Sequence, residues 1–336
     1  VVLIVGPGAQ ASKWVQAELR EALRQCKAVT PLLYKGDFDL IPEALQLVSQ
    51  IDARPPRDFQ QAVDDVVREL RREDRLGTPY GIRPLPGFYL PREGPYEAAR
   101  TALVQDAIDT TVISAPTKAA AIYGMGGVGK STLATALAGD CSLRRHFKDG
   151  ILWIEVGQNP TVQDLQATVG VTLGDNRDRY QNDPAEARIA LSQTLHQHQA
   201  LIVLDDVWDH RLIEDFPVSG TACRLLVTTR SGVLATAIQG TDIRLDLLSE
   251  AEGAALLAGT AGGAADDPAY RQLSAALGGH TLALALAAAR LKKRGPAYAR
   301  NILNGLEPLH HAGDARRGQR PECGEVALAK LPGAGG

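Results

Sequence analysis

The chain has 336 residues, 45% apolar and 22% charged, values that fit soluble globular protein with room for two or three domains. A formal net charge of −3 gives no basic field for nucleic acid. The longest apolar run, Leu282 to Leu291, falls short of the ~20 residues a membrane helix needs, so no membrane partner is expected.

Taken in order, Val1 to Val5 reads as a buried strand closed by Gly6-Pro7-Gly8. Ser12 then caps a helix from Lys13 to about Cys26, with Trp14, Val15, Leu19 and Leu23 as its apolar positions. Ala28 to Tyr34 is a second β-rich run. Asp58 to Arg72 places Phe59, Val63, Val66, Val67 and Leu70 on one helical face. Alternating strands and helices imply a parallel sheet, and two strands alone cannot complete one. The opening residues carry no initiator Met, so the chain is expected to start inside a longer protein.

Gly6-Pro7, Ser12-Lys-Trp14-Val-Gln-Ala-Glu18-Leu19 and Val29-Thr-Pro31-Leu-Leu33 together resemble the second half of a TIR domain, over roughly Val1 to Arg72. The family's first strand, first helix and BB loop have no counterpart here. The resemblance implies a flavodoxin-like segment used for homotypic signalling. It also matches Glu18 to the glutamate with which many TIR domains cleave NAD⁺. As a residue, Glu18 also fits a solvated position on a helix face.

From Asp74 to Pro95, prolines alternate with glycines, which predicts a semi-rigid linker. Phe88-Tyr-Leu-Pro-Arg92-Glu93 reads as linker, and it also resembles a V-G-R-E-like entry segment of P-loop switch proteins, a resemblance that implies a contact with adenine. Ala119 to Tyr123 reads as a buried strand. It leads into Gly124-Met125-Gly126-Gly127-Val128-Gly129-Lys130-Ser131 and then a helix from Thr132 to Ala138. Strand, GxxxxGKS and helix form a P-loop: inward backbone N–H groups cup phosphates and the helix start faces them. Lys130 reaches the β/γ-phosphates, and the Ser131 hydroxyl joins a Mg²⁺ shell.

Further along, Ile151 to Val156 predicts a strand, and Val162 to Leu173 and Pro184 to Gln199 predict helices. Leu201-Ile-Val-Leu204-Asp205-Asp206-Val207-Trp208 is a buried strand with two carboxylates at its end, the edge where open α/β sheets bind ligands. Asp205 is assigned to Mg²⁺ and Asp206 to orienting the attacking water, a catalytic role. Arg224 to Thr229 ends in two hydroxyls followed by Arg230, a cation suited to sensing the γ-phosphate. Ile243 to Leu247 supplies another short strand, and Ser249-Glu-Ala-Glu252 is a capping box. Helices are then expected over Glu250 to Leu257, Asp267 to Leu277, Thr281 to Arg294 and Pro296 to Asn304. Four scattered cysteines, Cys26, Cys141, Cys223 and Cys323, point away from zinc and from a disulfide frame, as in a cytoplasmic protein.

The P-loop, the hydrophobic-Asp-Asp-Val-Trp strand, Thr-Thr-Arg and the Gly278-Gly-His-Thr281-Leu-Ala-Leu284 turn, in that order, resemble the NB-ARC class of STAND nucleotide switches over about Pro91 to Leu306. The resemblance implies an α/β fold: a three-layer P-loop core with a small helical ARC-type domain, ADP held at rest, and ATP in a self-associated state. Thr281 stands where the family has a proline near adenine, and no winged-helix segment is legible after it. The expected organisation is a partial TIR domain at 1–73 and a linker at 74–95, then a nucleotide-binding domain at 96–248 and a helical domain at 249–306. Residues 307–336 are expected to be a disordered tail. The expected function is an ATP/ADP-dependent signalling switch. A turnover NTPase or NAD⁺ hydrolase is the alternative.

Overall fold

The computed structural model describes residues 1–42, 45, 49–71, 76–104, 119–181, 183–238 and 240–304. The tail expected to be disordered lies outside the described residues. The chain divides into two units, Val1–Leu76 and Gly77–Gly336.

The first unit contains β1 (Val2–Val5), α1 (Lys13–Arg24), β2 (Thr30–Leu33), β3 (Ile51–Asp52) and α2 (Phe59–Leu70). Its three strands pair in parallel in the order β1-β2-β3, with Val2 opposite Thr30 and Leu32 opposite Ile51. Ser12 caps α1 by accepting from the Val15 N–H, and Asp58 caps α2 by accepting from Gln60. Val5, Leu19, Ala22, Val29, Leu33, Ile41 and Leu45 form its core. The apolar stripe expected on α2 is not the buried face. Ala62 is its buried residue, while Phe59, Val67 and Leu70 are exposed. A two-residue β3 offers too little sheet to cover a three-turn helix.

The second unit opens with β4 (Pro79–Tyr80) and α3 (Glu93–Val104), then β5 (Ala119–Tyr123), α4 (Lys130–Gly139) and α5 (Cys141–His146). Next come β6 (Gly150–Glu155), α6 (Val162–Thr172), α7 (Pro184–His196), β7 (Ala200–Val207) and α8 (Arg211–Glu214). The α/β part ends with β8 (Arg224–Thr229), α9 (Gly232–Ala237) and β9 (Thr241–Arg244). All six strands are parallel, in the order β4-β6-β7-β8-β5-β9.

Both faces of this sheet are buried, which is why its strands read as unbroken apolar runs. Along β7, Ile202 and Leu204 face one core with Val169, Leu191 and Leu212, whereas Leu201 and Val203 face the other with Leu103, Leu133 and Leu143. The result is three layers, α/β/α. The proline-rich segment is more than a linker: Pro79 and Tyr80 pair with Ile151 and Leu152 as an edge strand, where proline costs no essential ladder bond.

The helices α10 (Glu250–Ala261), α11 (Pro268–Ala276) and α12 (Thr281–Arg294) follow, and residues 299–304 are helical as well. The capping box at Ser249 and Glu252 is formed in both directions. Their shared core includes Leu257, Tyr270, Leu273, Leu284 and Leu291, with Phe88 and Leu90 packed against it.

Among the described residues no helix is long and apolar enough to cross a membrane, and no cluster of His, Cys, Asp or Glu could hold a metal by itself. Among the described residues Cys223 is a free buried thiol.

Candidate nucleotide site

The site lies at the C-terminal edge of β5, β7 and β8, in a cleft of about 880 Å³. One wall is the loop from β5 to α4. Gly127 has a φ of +72°, and a Cβ there would lie 2.7 Å from His280 Cε1, so both conformation and space require glycine. Gly129, also left-handed, is the N-cap of α4. Gly124 ends β5 and starts the loop, and Gly126 lies under the Arg230 guanidinium. Gly126, Gly127, Val128, Gly129, Lys130, Ser131 and Thr132 all line the cleft.

Lys130 is buried and donates from Nζ to the carbonyls of Gly124 and Met125, both at 3.0 Å. Burial, then repulsion from Arg230, lowers its pKa below the usual lysine value, against the pull of Asp206 and Asp205. The ammonium is thus folded back onto its own loop, within a cleft shaped for anionic groups.

Opposite stand the two carboxylates of β7. Asp205 is buried and accepts from Ser131 Oγ at 2.7 Å and from Thr228 Oγ1 at 2.5 Å. Oxygen atoms from α4 and β7 therefore converge, the hard donor type that suits Mg²⁺. Asp206 points elsewhere. Its backbone adopts a φ of +59°, unusual for a non-glycine residue, and its N–H donates to Thr228 Oγ1 at 2.9 Å. Its carboxylate accepts from Trp208 Nε1 at 3.1 Å and stands 3.6 Å from Arg230 Nε. The Arg230 guanidinium also lies 4.9 Å from the centre of the Trp208 ring. Aspartate and tryptophan together hold the arginine over the phosphate loop.

The third wall comes from Phe88, Tyr89, Leu90 and Arg92, and the fourth from the start of α12. Arg92 is tied down through the Asp246 carbonyl at 2.9 Å. Thr281 lines the cleft and donates from Oγ1 to the Val128 carbonyl at 2.9 Å, a contact a proline could not make. Glu18 belongs to the other unit, exposed on α1. Motif reading alone assigns no role to His280, Thr228 or Trp208, although each stands inside a recognised motif. Only the fold shows which partners they meet.

Residues 100–267 match the family model of the NB-ARC domain. The chain belongs to the NB-ARC family. Among curated relatives, disease resistance protein RFL1 of Arabidopsis thaliana is 28% identical over 115 residues, covering 33% of this chain and 13% of that protein. Apoptotic protease-activating factor 1 of Danio rerio is 30% identical over 129 residues, 35% of this chain and 10% of that protein. Regulatory protein AfsR of Streptomyces griseus is 30% identical over 282 residues, 81% of this chain and 28% of that protein. The chain thus spans less than a third of each of these relatives. NB-ARC domains are STAND-type P-loop NTPases that bind ATP or ADP with Mg²⁺, and the cleft has the glycine cradle and the oxygen set for both.

Proposed function

We propose that this NB-ARC chain is the nucleotide-dependent switch of a signal-transduction protein, with bound ADP or ATP governing self-association. One observation carries the reading. The cleft is walled on one side by the P-loop, β7 and β8, and on the other by the first turn of α12, so both bodies border whatever binds there. A ligand shifts such an arrangement by its differential affinity for the two positions of the helical body.

Within this reading, Gly124 through Thr132 cradle the phosphates, and Lys130 leaves its loop carbonyls to neutralise them. Ser131 and Asp205 supply oxygens to Mg²⁺. Asp206 orients water for hydrolysis, and Arg230 detects the γ-phosphate. Thr281 closes the cleft from the helical side. The first unit serves as a TIR-type signalling element, with Glu18 as the residue that would cleave NAD⁺ in a complete domain of that kind. The names of relatives, disease resistance and apoptotic activation, support a place in signalling of this sort.

The test compares ADP and ATP with Mg²⁺ by calorimetry and analytical ultracentrifugation. Binding of both, with larger species in ATP, is the expected result. Asp206→Asn should keep ATP affinity within about threefold while hydrolysis slows, because the metal oxygens of Asp205 remain. Identical sedimentation in both nucleotides, with turnover well above ~10⁻² s⁻¹, would replace the switch by an NTPase working as an enzyme.

A further inference from the structure

Three successive carbonyls of the phosphate loop are bonded by three successive residues of the helical body. Gly126 O meets His280 Nε2 at 2.9 Å, Gly127 O accepts from the Leu282 N–H at 3.0 Å, and Val128 O accepts from Thr281 Oγ1 at 2.9 Å. The sequence separation is about 150 residues in each case, so this is a tertiary latch and not a local turn.

The turn that aims these groups is built for the purpose. Gly278 and Gly279 both have positive φ, and a Cβ on Gly279 would lie 2.0 Å from the Leu248 carbonyl. The Leu248 N–H in turn donates to Gly279 O at 2.9 Å. His280 follows as the N-cap of α12, and it is buried.

Its two ring nitrogens do different work. Nδ1 lies 3.4 Å from the Ala283 N–H and accepts from it, as a helix cap must. An accepting Nδ1 bears no hydrogen, so in the neutral ring Nε2 bears it and donates to Gly126 O. The helix cap therefore fixes the tautomer that the phosphate loop needs.

A trans peptide is planar, with its C=O and N–H on opposite sides. Holding the Gly126 carbonyl toward His280 thus sets the direction of the Gly127 N–H. The bonds to Gly127 O and Val128 O do the same for the N–H groups of Val128 and Gly129. These are the groups with which a P-loop meets phosphate oxygens.

We propose that His280 is a positioning residue for the nucleotide's phosphates: its Nε2–H orients the Gly126–Gly127 peptide, so the helical body sets affinity for a nucleoside di- or triphosphate through the loop backbone. The inference rests on the nucleotide-binding reading above. It assigns a role to a residue that touches no nucleotide atom and acts through the loop.

Two substitutions divide the two nitrogens. Asn places a capping group near Nδ1 but is too short for Gly126, whereas Gln reaches the position of Nε2 but caps poorly. In the full chain, His280→Asn should leave the Tm near wild type and weaken ADP about fivefold, the order expected of one lost hydrogen bond. His280→Gln should keep ADP affinity within about twofold and lower the Tm by about 2–4 °C, as a lost cap would. Calorimetry and thermal unfolding read both. Affinity equal to wild type in the Asn variant, or affinity falling in step with Tm in both, would overturn the positioning role.

The ¹⁵N shifts of the wild-type imidazole give a second measurement that needs no folded variant. A protonated Nε2 and an unprotonated Nδ1 are expected, and the reverse pattern would overturn the latch. A wild-type chain that binds neither nucleotide fails earlier, at the nucleotide reading itself, while an intact ADP site with an indifferent His280→Asn fails only here.

Discussion

The two units use the same local grammar, parallel strands alternating with capped helices, and bury very different amounts of it. In the nucleotide-binding unit both faces of a six-stranded sheet are covered, and Leu201, Ile202, Val203 and Leu204 are all fully buried. In the first unit a three-stranded sheet leaves Trp14 82% exposed, Phe59 74% and Ile4 62%. Amphipathic spacing announces a helix in both. Whether its apolar side finds a core depends on how much sheet is present to cover it, which spacing does not encode.

The sharpest way to break that contrast is to cut one residue from each unit. Leu204→Ala should cost about 2–5 kcal/mol, because it empties a closed site, while Trp14→Ser should change stability by no more than about 0.5 kcal/mol. Thermal and urea unfolding of the full chain measure both. Equal losses would mean that the exposed residues of the first unit are covered in solution.

Next in size is Lys130→Ala. It removes the one buried lysine of the cleft, and with it the bonds to Gly124 and Met125 that hold the loop. ADP affinity should fall about 100-fold or more, since charged hydrogen bonds are worth about 1.5–3 kcal/mol each. Calorimetry against wild type decides, and equal affinities would remove the P-loop assignment.

A smaller effect is expected at the surface of the same site. Trp208→Ala takes away the ring beneath Arg230 and the indole N–H bonded to Asp206. Partly exposed cation–π contacts are worth about 0.5–1 kcal/mol, so the ratio of ATP to ADP affinity should drop about two- to fivefold. A ratio unchanged within error would show that Arg230 needs no such support.

The gentlest effect returns to the first unit. Hydrogen bonds from the Arg54 side chain and backbone N–H hold the Asp52 carboxyl at about 2, below the usual aspartate value of 3.8, against the opposing effect of burial. A depressed carboxylate stabilises the fold above its unfolded pKa, and that stabilisation fades as pH falls through the folded one. The Tm advantage of wild type over Asp52→Asn should therefore be full above about pH 4 and shrink toward pH 2. A constant difference across that window would show that Arg54 does not hold the carboxylate ionised.

Much of the cleft's lining was legible because its local backbone and burial restrict residue type. Only glycine fits Gly127, and only a run such as Leu201 to Leu204 makes a strand buried on both faces. What escaped depends on distance. His280 meets Gly126 across 154 positions, and no periodicity reports such a pair. β4 escaped because prolines around it read as linker, although an edge strand tolerates Pro79. The face of α2 was misread for the reason that separates the two units: a stripe of apolar residues records a capacity for burial, and the neighbouring sheet determines whether it is used.

The strand order has a consequence for synthesis. β5, which carries the phosphate loop, sits between β8 and β9, and both of these leave the ribosome after it. Its first hydrogen-bonding partner, β8, begins about 100 residues downstream, which at ~5–20 residues per second is a wait of about 5–20 s. Throughout that interval the apolar Ala119–Tyr123 segment has neither edge paired, so the nascent chain presents a sticky strand until the sheet closes around it. Translation speed over α6 to β8 and access to a holdase chaperone should therefore govern the yield of folded protein more than any contact in the finished site.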